Sequence, residues 1–277
     1  MPVDRRLAAM IVAVLPAYNE AEALPLLVPK LADSLGTISP DFRIVVCNDG
    51  STDGSSAVLE ELRHRFPLDV IEHRYNRGLG ESVRDLIEFA VQLTGPGDFV
   101  VRMDCDDTHE PQYIDTMVRR ARAGTDVVIA SRFADGGGQV GVNGYRRFIS
   151  RMATAFMRTV FRIDGLQEYT SGFRVYRAEI LHLALDRYGS NFIQLKGLGF
   201  TCTLEKLVKL KMLGATFGEE PFVLRYDQKT SESKMVASVT TLGYFTMAVL
   251  YHWPWGGWKS ASRRASTLQS MSNDQAL

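Results

Sequence analysis

Short apolar runs alternate with longer segments of helical periodicity through the first half of the chain. The runs fall near 11–15, 42–47, 69–72, 99–103 and 126–130, and the periodic segments near 21–35, 55–65, 81–93 and 111–123. Ile11-Val12-Ala13-Val14-Leu15 is continuous, rich in β-branched residues and stopped by Pro16, which is the pattern of a strand buried on both faces. Arg5-Arg6 ahead of Leu7 to Leu15 superficially resembles a secretory leader, but the strand reading accounts for the same residues. Strands alternating with helices predict an α/β fold: a Rossmann-like, mostly parallel twisted sheet with helices on its faces. Ligands of such sheets bind at the carboxyl ends of the strands, so chemistry is expected in the turns that follow them.

Beyond Arg132 the rhythm changes. Asp135-Gly136-Gly137-Gly138-Gln139 reads as a flexible loop. Residues 145–162 then read as an amphipathic helix, with Tyr145, Ile149, Met152, Phe156 and Val160 on one face and Arg147, Arg151, Arg158 and Arg162 on another. Further elements are expected at 173–186, 202–213 and 221–226, followed by an apolar stretch over 236–251. The predicted organisation is a catalytic unit over 1–235, an apolar interfacial or oligomerisation segment over 236–258, and a polar, disordered tail over 259–277. No uninterrupted apolar run reaches the roughly 20 residues of a membrane span.

The composition bounds the function. The 277 residues are 45% hydrophobic, enough for a substantial core. Lys+Arg and Asp+Glu are both 32, so bulk charge gives no support to a nucleic-acid partner. Three separated cysteines, Cys47, Cys105 and Cys202, form neither a disulfide framework nor a zinc site, and fit a reducing, cytoplasmic setting.

Three of the predicted strands end in acidic turns: Pro16-Ala17-Tyr18-Asn19-Glu20, Asn48-Asp49-Gly50-Ser51-Thr52-Asp53-Gly54 and Asp104-Cys105-Asp106-Asp107. Carboxylates gathered on one sheet edge repel unless a cation or hydrogen-bond donors sit among them, and a divalent ion carried by a nucleotide meets that need. Each turn alone also has a structural reading. Asp53 or Ser55 can cap the next helix, Glu20 can sit in a capped first turn, and a lone Asp-x-Asp is often a solvated turn. The Asn48-Asp49 pair is left without such a reading, and the joint occurrence of the three turns points to a site.

The ordered set Val14-Leu15-Pro16-Ala17-Tyr18-Asn19-Glu20, Asn48-Asp49-Gly50-Ser51-Thr52-Asp53-Gly54, Asn76-Arg77-Gly78-Leu79-Gly80, Met103-Asp104-Cys105-Asp106, Ala130-Ser131-Arg132-Phe133 and Thr170-Ser171-Gly172-Phe173-Arg174 resembles glycosyltransferase family 2. Over residues 10–235 it is most similar to the dolichyl- or polyprenyl-phosphate mannosyltransferase branch. The resemblance implies a GT-A fold, a GDP- or UDP-linked sugar donor, Mg2+ or Mn2+, and transfer with inversion. It implies that Pro16, Tyr18, Glu20, Asp49, Asp104 and Cys105 line the nucleotide site and that Asp106 ligates the metal, with Asp104 and Asp107 as further candidates. Arg132 and Lys234 are implied at the diphosphate. Two departures stand out: Thr108 replaces a glutamine after the Asp-x-Asp, and Gln228 replaces an arginine, for which Arg225 or Lys229 could substitute.

Loss of a nucleoside diphosphate calls for cationic stabilisation of the leaving group. A lipid-phosphate acceptor is already ionised and needs no general base, whereas a hydroxyl acceptor needs one, with Asp107 and Glu168 as the nearby carboxylates. Arg174 binds an acceptor phosphate or forms an internal ion pair. The basic helix over 145–162 and the cluster Trp253, Trp255 and Trp258 suit the cytoplasmic face of an anionic bilayer. The rival readings are a soluble hydroxyl acceptor or glycan, with 236–258 as a dimer contact, and a non-catalytic nucleotide-sugar-binding scaffold.

Overall fold

The computed structural model describes residues 9–142, 144–228, 237–253 and 257–259. A seven-stranded sheet has the order β3-β2-β1-β4-β7-β5-β8. Its strands are β1 (Ile11–Ala17), β2 (Phe42–Asn48), β3 (Leu68–Glu72), β4 (Phe99–Arg102), β5 (Val127–Ser131), β7 (Arg174–Arg177) and β8 (Phe217–Pro221). A separate two-stranded ribbon pairs β6 (Gly138–Val140) with β9 (Val223–Arg225). The glycine-rich segment expected as a flexible loop is therefore partly strand, because its backbone pairs with a distant segment rather than with a sequence neighbour.

Strands β1 to β4 run parallel, as the sequence predicts. The exception is β7, which inserts antiparallel between β4 and β5. It occupies the first part of the element expected over 173–186, and α6 (Ala178–Tyr188) follows it directly. Two apolar layers cover the sheet. One packs Ile11, Leu15, Ile44 and Val101 against α1 (Leu24–Ile38) and α4 (Ile114–Arg122). The other packs Val12, Val14, Val45 and Val100 against α3 (Leu79–Leu93), α7 (Thr201–Met212), α5 (Gly144–Phe161) and α8 (Ala237–His252). The remaining helix, α2 (Ser55–Arg63), lies against α1.

Pro16 opens the crevice. Val14 accepts the Met103 N–H, and two residues on Pro16 faces the same side without an N–H to extend that ladder. Pairing of β1 with β4 ends at Val14, whereas pairing with β2 continues to Ala17. The ends of β1 and β4 are thereby released beside each other.

In α5 the apolar face differs from the expected one. Met157 and Phe161 are buried and Phe156 and Val160 flank them, but Met152 points outward with Phe148. The side chains of Tyr145, Arg147 and Ile149 lie outside the described residues. Among the described residues no helix is long and apolar enough to cross a membrane.

Candidate active site

Because β2, β1 and β4 are adjacent and parallel, their three acidic turns stand in a row on one sheet edge. The first two are laced together. The N–H groups of Asn19 and Glu20 donate to Ser51 Oγ and Ser55 Oγ at 2.9 Å, and Asn19 Oδ1 accepts the Thr52 N–H at 2.8 Å. Asp53 accepts the Ser55 and Ala21 N–H groups at 2.9 and 3.1 Å, so its role is local. Pro16 and Tyr18 are half-buried at the rim, and Glu20 is buried.

Asp49 braces the neighbouring loop. Its Oδ1 meets His73 Nδ1 at 2.6 Å and the Arg77 N–H at 2.9 Å, and its Oδ2 accepts the Gly78 N–H at 2.8 Å. His73 Nε2 lies 2.9 Å from Asp85 Oδ2. Asp49 thus holds the loop over 73–78 against the site. Gly50, at φ +67°, is the residue that permits this approach: a Cβ there would fall 2.3 Å from the Tyr75 carbonyl carbon. Asn48 donates to Ser56 and Glu72, which gives the Asn48-Asp49 pair the structural account that its sequence did not.

The turn after β4 separates its carboxylates. Asp104 Oδ1 lies 2.6 Å from Arg102 Nη2, and the Asp104 N–H donates to His109 Nδ1 at 3.1 Å. His109 is stacked on Phe173 and edge-on to Phe222. Burial holds its imidazole below the ordinary range, in keeping with a neutral ring whose Nδ1 accepts. Asp106 Oδ1 accepts Thr108 Oγ1–H at 2.6 Å, so Thr108 orients Asp106. Asp107, at φ +56°, pairs with Lys30 Nζ at 2.9 Å. Cys105 is buried in the apolar layer with Met103 and Phe173.

Across the crevice, Arg132 Nε and Nη2 bind Glu168 at 2.7 and 2.9 Å, and Nη2 also binds Thr170 Oγ1 at 2.7 Å. Burial alone would raise the Glu168 carboxyl, but the Arg132 guanidinium and the Thr170 donors hold it below its ordinary value. Arg174 is fully buried, and its guanidinium donates to the Thr203 and Tyr169 carbonyls at 2.7 and 3.0 Å. Among the described residues it forms no ion pair, and its guanidinium is spent on backbone carbonyls instead. Arg225 is engaged by Asp227 at 2.9 Å, so it does not replace the arginine absent at 228. Lys234 and Lys229 lie outside the described residues.

Arg102, His73 and Lys206 escaped the sequence reading. The one available signal was a charge inside an apolar strand run, Phe99-Val100-Val101-Arg102. Among the described residues, no three His, Cys, Asp or Glu side chains converge on a metal position. The chemistry of Asp104 and Asp106 nevertheless suits a hard cation, since Mg2+ and Mn2+ are commonly held by one or two carboxylates with phosphate oxygens completing the shell.

Residues 12–183 match Glycosyl transferase family 2. The chain is 32% identical over 182 residues to a polyprenol monophosphomannose synthase of Mycolicibacterium smegmatis, covering 65% of this chain and 66% of that protein. It is 29% identical over 230 residues to an undecaprenyl-phosphate mannosyltransferase of Micrococcus luteus, covering 83% and 88%. A dolichol-phosphate mannosyltransferase of Pyrococcus furiosus is 30% identical over 200 residues, 72% of this chain and 52% of that one. The fold is similar to glucosyl-3-phosphoglycerate synthase from Mycobacterium tuberculosis, solved with Mn2+, UDP and phosphoglyceric acid. That match has a TM-score of 0.56 and 16% identity, covering 87% of this chain and 78% of that one. The match across most of the sheet and its acidic turns places the chain in glycosyl transferase family 2, as a glycosyltransferase of GT-A fold.

Proposed function

We propose that this enzyme transfers a hexose, of mannose type, from a GDP- or UDP-linked donor to a polyprenyl phosphate, with inversion and with Mg2+ or Mn2+. The observation that carries the acceptor class is the state of the two nearby carboxylates. Asp107 is paired with Lys30, and Glu168 is enclosed with Arg132, so neither is placed to take a proton from a hydroxyl. A phosphate oxygen needs no such base. The names of the mannosyltransferase relatives support the same acceptor.

In this reading Asp106, with Asp104, would hold the cation, which would supply Lewis-acid stabilisation of the charge on the departing diphosphate. Arg102 and His109 fix Asp104, and Thr108 fixes Asp106. Glu168 and Thr170 hold the Arg132 guanidinium in place, which is preorganisation of the kind that stabilises developing charge. Lys234 adds a second cation.

A membrane-borne acceptor agrees with the outer surface. Helices α5 and α8 pack side by side, with Phe156 against Phe245 and Phe161 against Tyr251. Phe148, Met152, Leu242, Phe245, Val249 and Trp253 are each more than half exposed, and Arg151 and Arg158 are exposed nearby. Trp258 is no part of this face, because its ring packs over Lys209 Nζ at 4.4 Å, and Trp255 lies outside the described residues. The deciding experiment is a donor-by-acceptor transfer screen with Mg2+ and Mn2+ that includes a short polyprenyl phosphate. Turnover on that acceptor, abolished by chelation and by Asp106→Ala, is expected; turnover on hydroxyl acceptors alone rejects the assignment.

A further inference from the structure

Behind the Asp104 turn, on the α7 side of the sheet, three basic side chains meet out of reach of solvent. Arg102, Arg174 and Lys206 are each no more than 1% exposed. Register explains the first two: Arg102 stands directly opposite Arg174 in the antiparallel β4–β7 ladder, so both side chains leave the same face as close neighbours. Helix α7 lies across them. Its Thr203 carbonyl accepts from Arg174, and Lys206 follows one turn later on the same helix face.

The counter-charge falls short. Asp104 is the only carboxylate, among the described residues, within ion-pair distance of any of the three. Glu168 is bound to Arg132 and Glu205 to Lys209. Cys202 and Tyr244 are held protonated by burial, so they add no negative charge. Arg102 Nε and Nη1 and Arg174 Nε are buried without a hydrogen-bond acceptor among the described residues. Water can accept from these donors but brings no charge, and a buried, uncompensated cation is strongly unfavourable.

We propose that Arg102, Arg174 and Lys206 form a binding site for a small monovalent inorganic anion of the chloride class, separate from the diphosphate site on the open side of Asp104. The anion completes the set of acceptors and restrains Arg102, which in turn orients Asp104. Burial, with repulsion from the two arginines, pushes the Lys206 ammonium well below its usual range, and an anion among the three offsets both effects.

The test uses the full chain at constant ionic strength, with gluconate exchanged for chloride and unfolding followed by scanning fluorimetry. The Tm is expected to climb with chloride by about 2 °C or more up to 200 mM, as mass action on a native-state site requires. Lys206→Met, which keeps the side-chain length without the charge, is expected to flatten that dependence. A wild-type Tm indifferent to chloride, or an equal response in the variant, overturns the proposal. If Lys206→Met fails to fold, crystals of the wild-type protein soaked in bromide decide: an anomalous peak between Arg102, Arg174 and Lys206 supports the site, and its absence overturns it.

Discussion

Glu168 accepts from two nitrogens of Arg132 and from the backbone of Thr170 and Ser171, all without solvent. Breaking a buried pair of this kind costs about 3–5 kcal/mol, so Glu168→Gln should lower the urea midpoint markedly at neutral pH. Because the folded carboxyl is held below its ordinary 4.5, the stabilisation is fully present above that pH and is lost as pH falls through the folded value. The gap between wild type and variant, measured by urea titration, is therefore expected to be constant at neutral pH and to narrow only below about pH 4.5. Gly172 makes a second case: a Cβ there would lie 1.2 Å from Arg102 Nη1. Gly172→Ala should destabilise by at least about 1–3 kcal/mol through overpacking, and Arg102→Met should recover part of the loss, a coupling that a double-mutant cycle reads directly. At this scale the sequence named the reactive residue types but not their partners. Glu168 and Asp107 were visible as possible bases, and only the tertiary structure shows them paired with Arg132 and Lys30.

At the scale of elements, α5 and α8 carry the proposed contact with the bilayer. Leu242 and Val249 stand on the outer stripe of α8 and are more than half exposed. The double variant Leu242→Glu, Val249→Glu should fold unchanged yet lose liposome flotation by more than about tenfold, since burying each apolar side chain contributes about 1.5–3 kcal/mol. Unchanged flotation would transfer this face to another partner, such as a second copy of the chain. The helical period of α5 was legible from residues 145–162, but which of its apolar residues turn inward was not: Met152 and Phe156 share a stripe in sequence, yet Phe156 is partly buried against Phe245 of α8 while Met152 is more than half exposed. Strand β7 shows the same limit. Its apolar alternation is ordinary, and its antiparallel insertion follows from pairing with β4 and β5, both of which are distant in the chain.

For the whole molecule, the proposed mechanism calls for cationic groups at the carboxyl edge of the sheet. Lys234→Ala should reduce donor turnover by roughly 2–4 kcal/mol if its ammonium meets the leaving diphosphate in the transition state; an unchanged rate in a donor-turnover assay would assign it to the surface. The alternation of apolar runs and helical segments determined the parallel sheet by itself, because strand and helix periods are local properties of the chain. It also determined the row of acidic turns, because residues that end adjacent parallel strands must gather at one edge. Tertiary structure alone decided which partner each carboxylate meets, that Asp49 holds the loop over 73–78, and that Arg102 stands opposite Arg174. Those outcomes come from contacts between segments far apart in sequence, where burial and pairing fix charge states that no local pattern encodes.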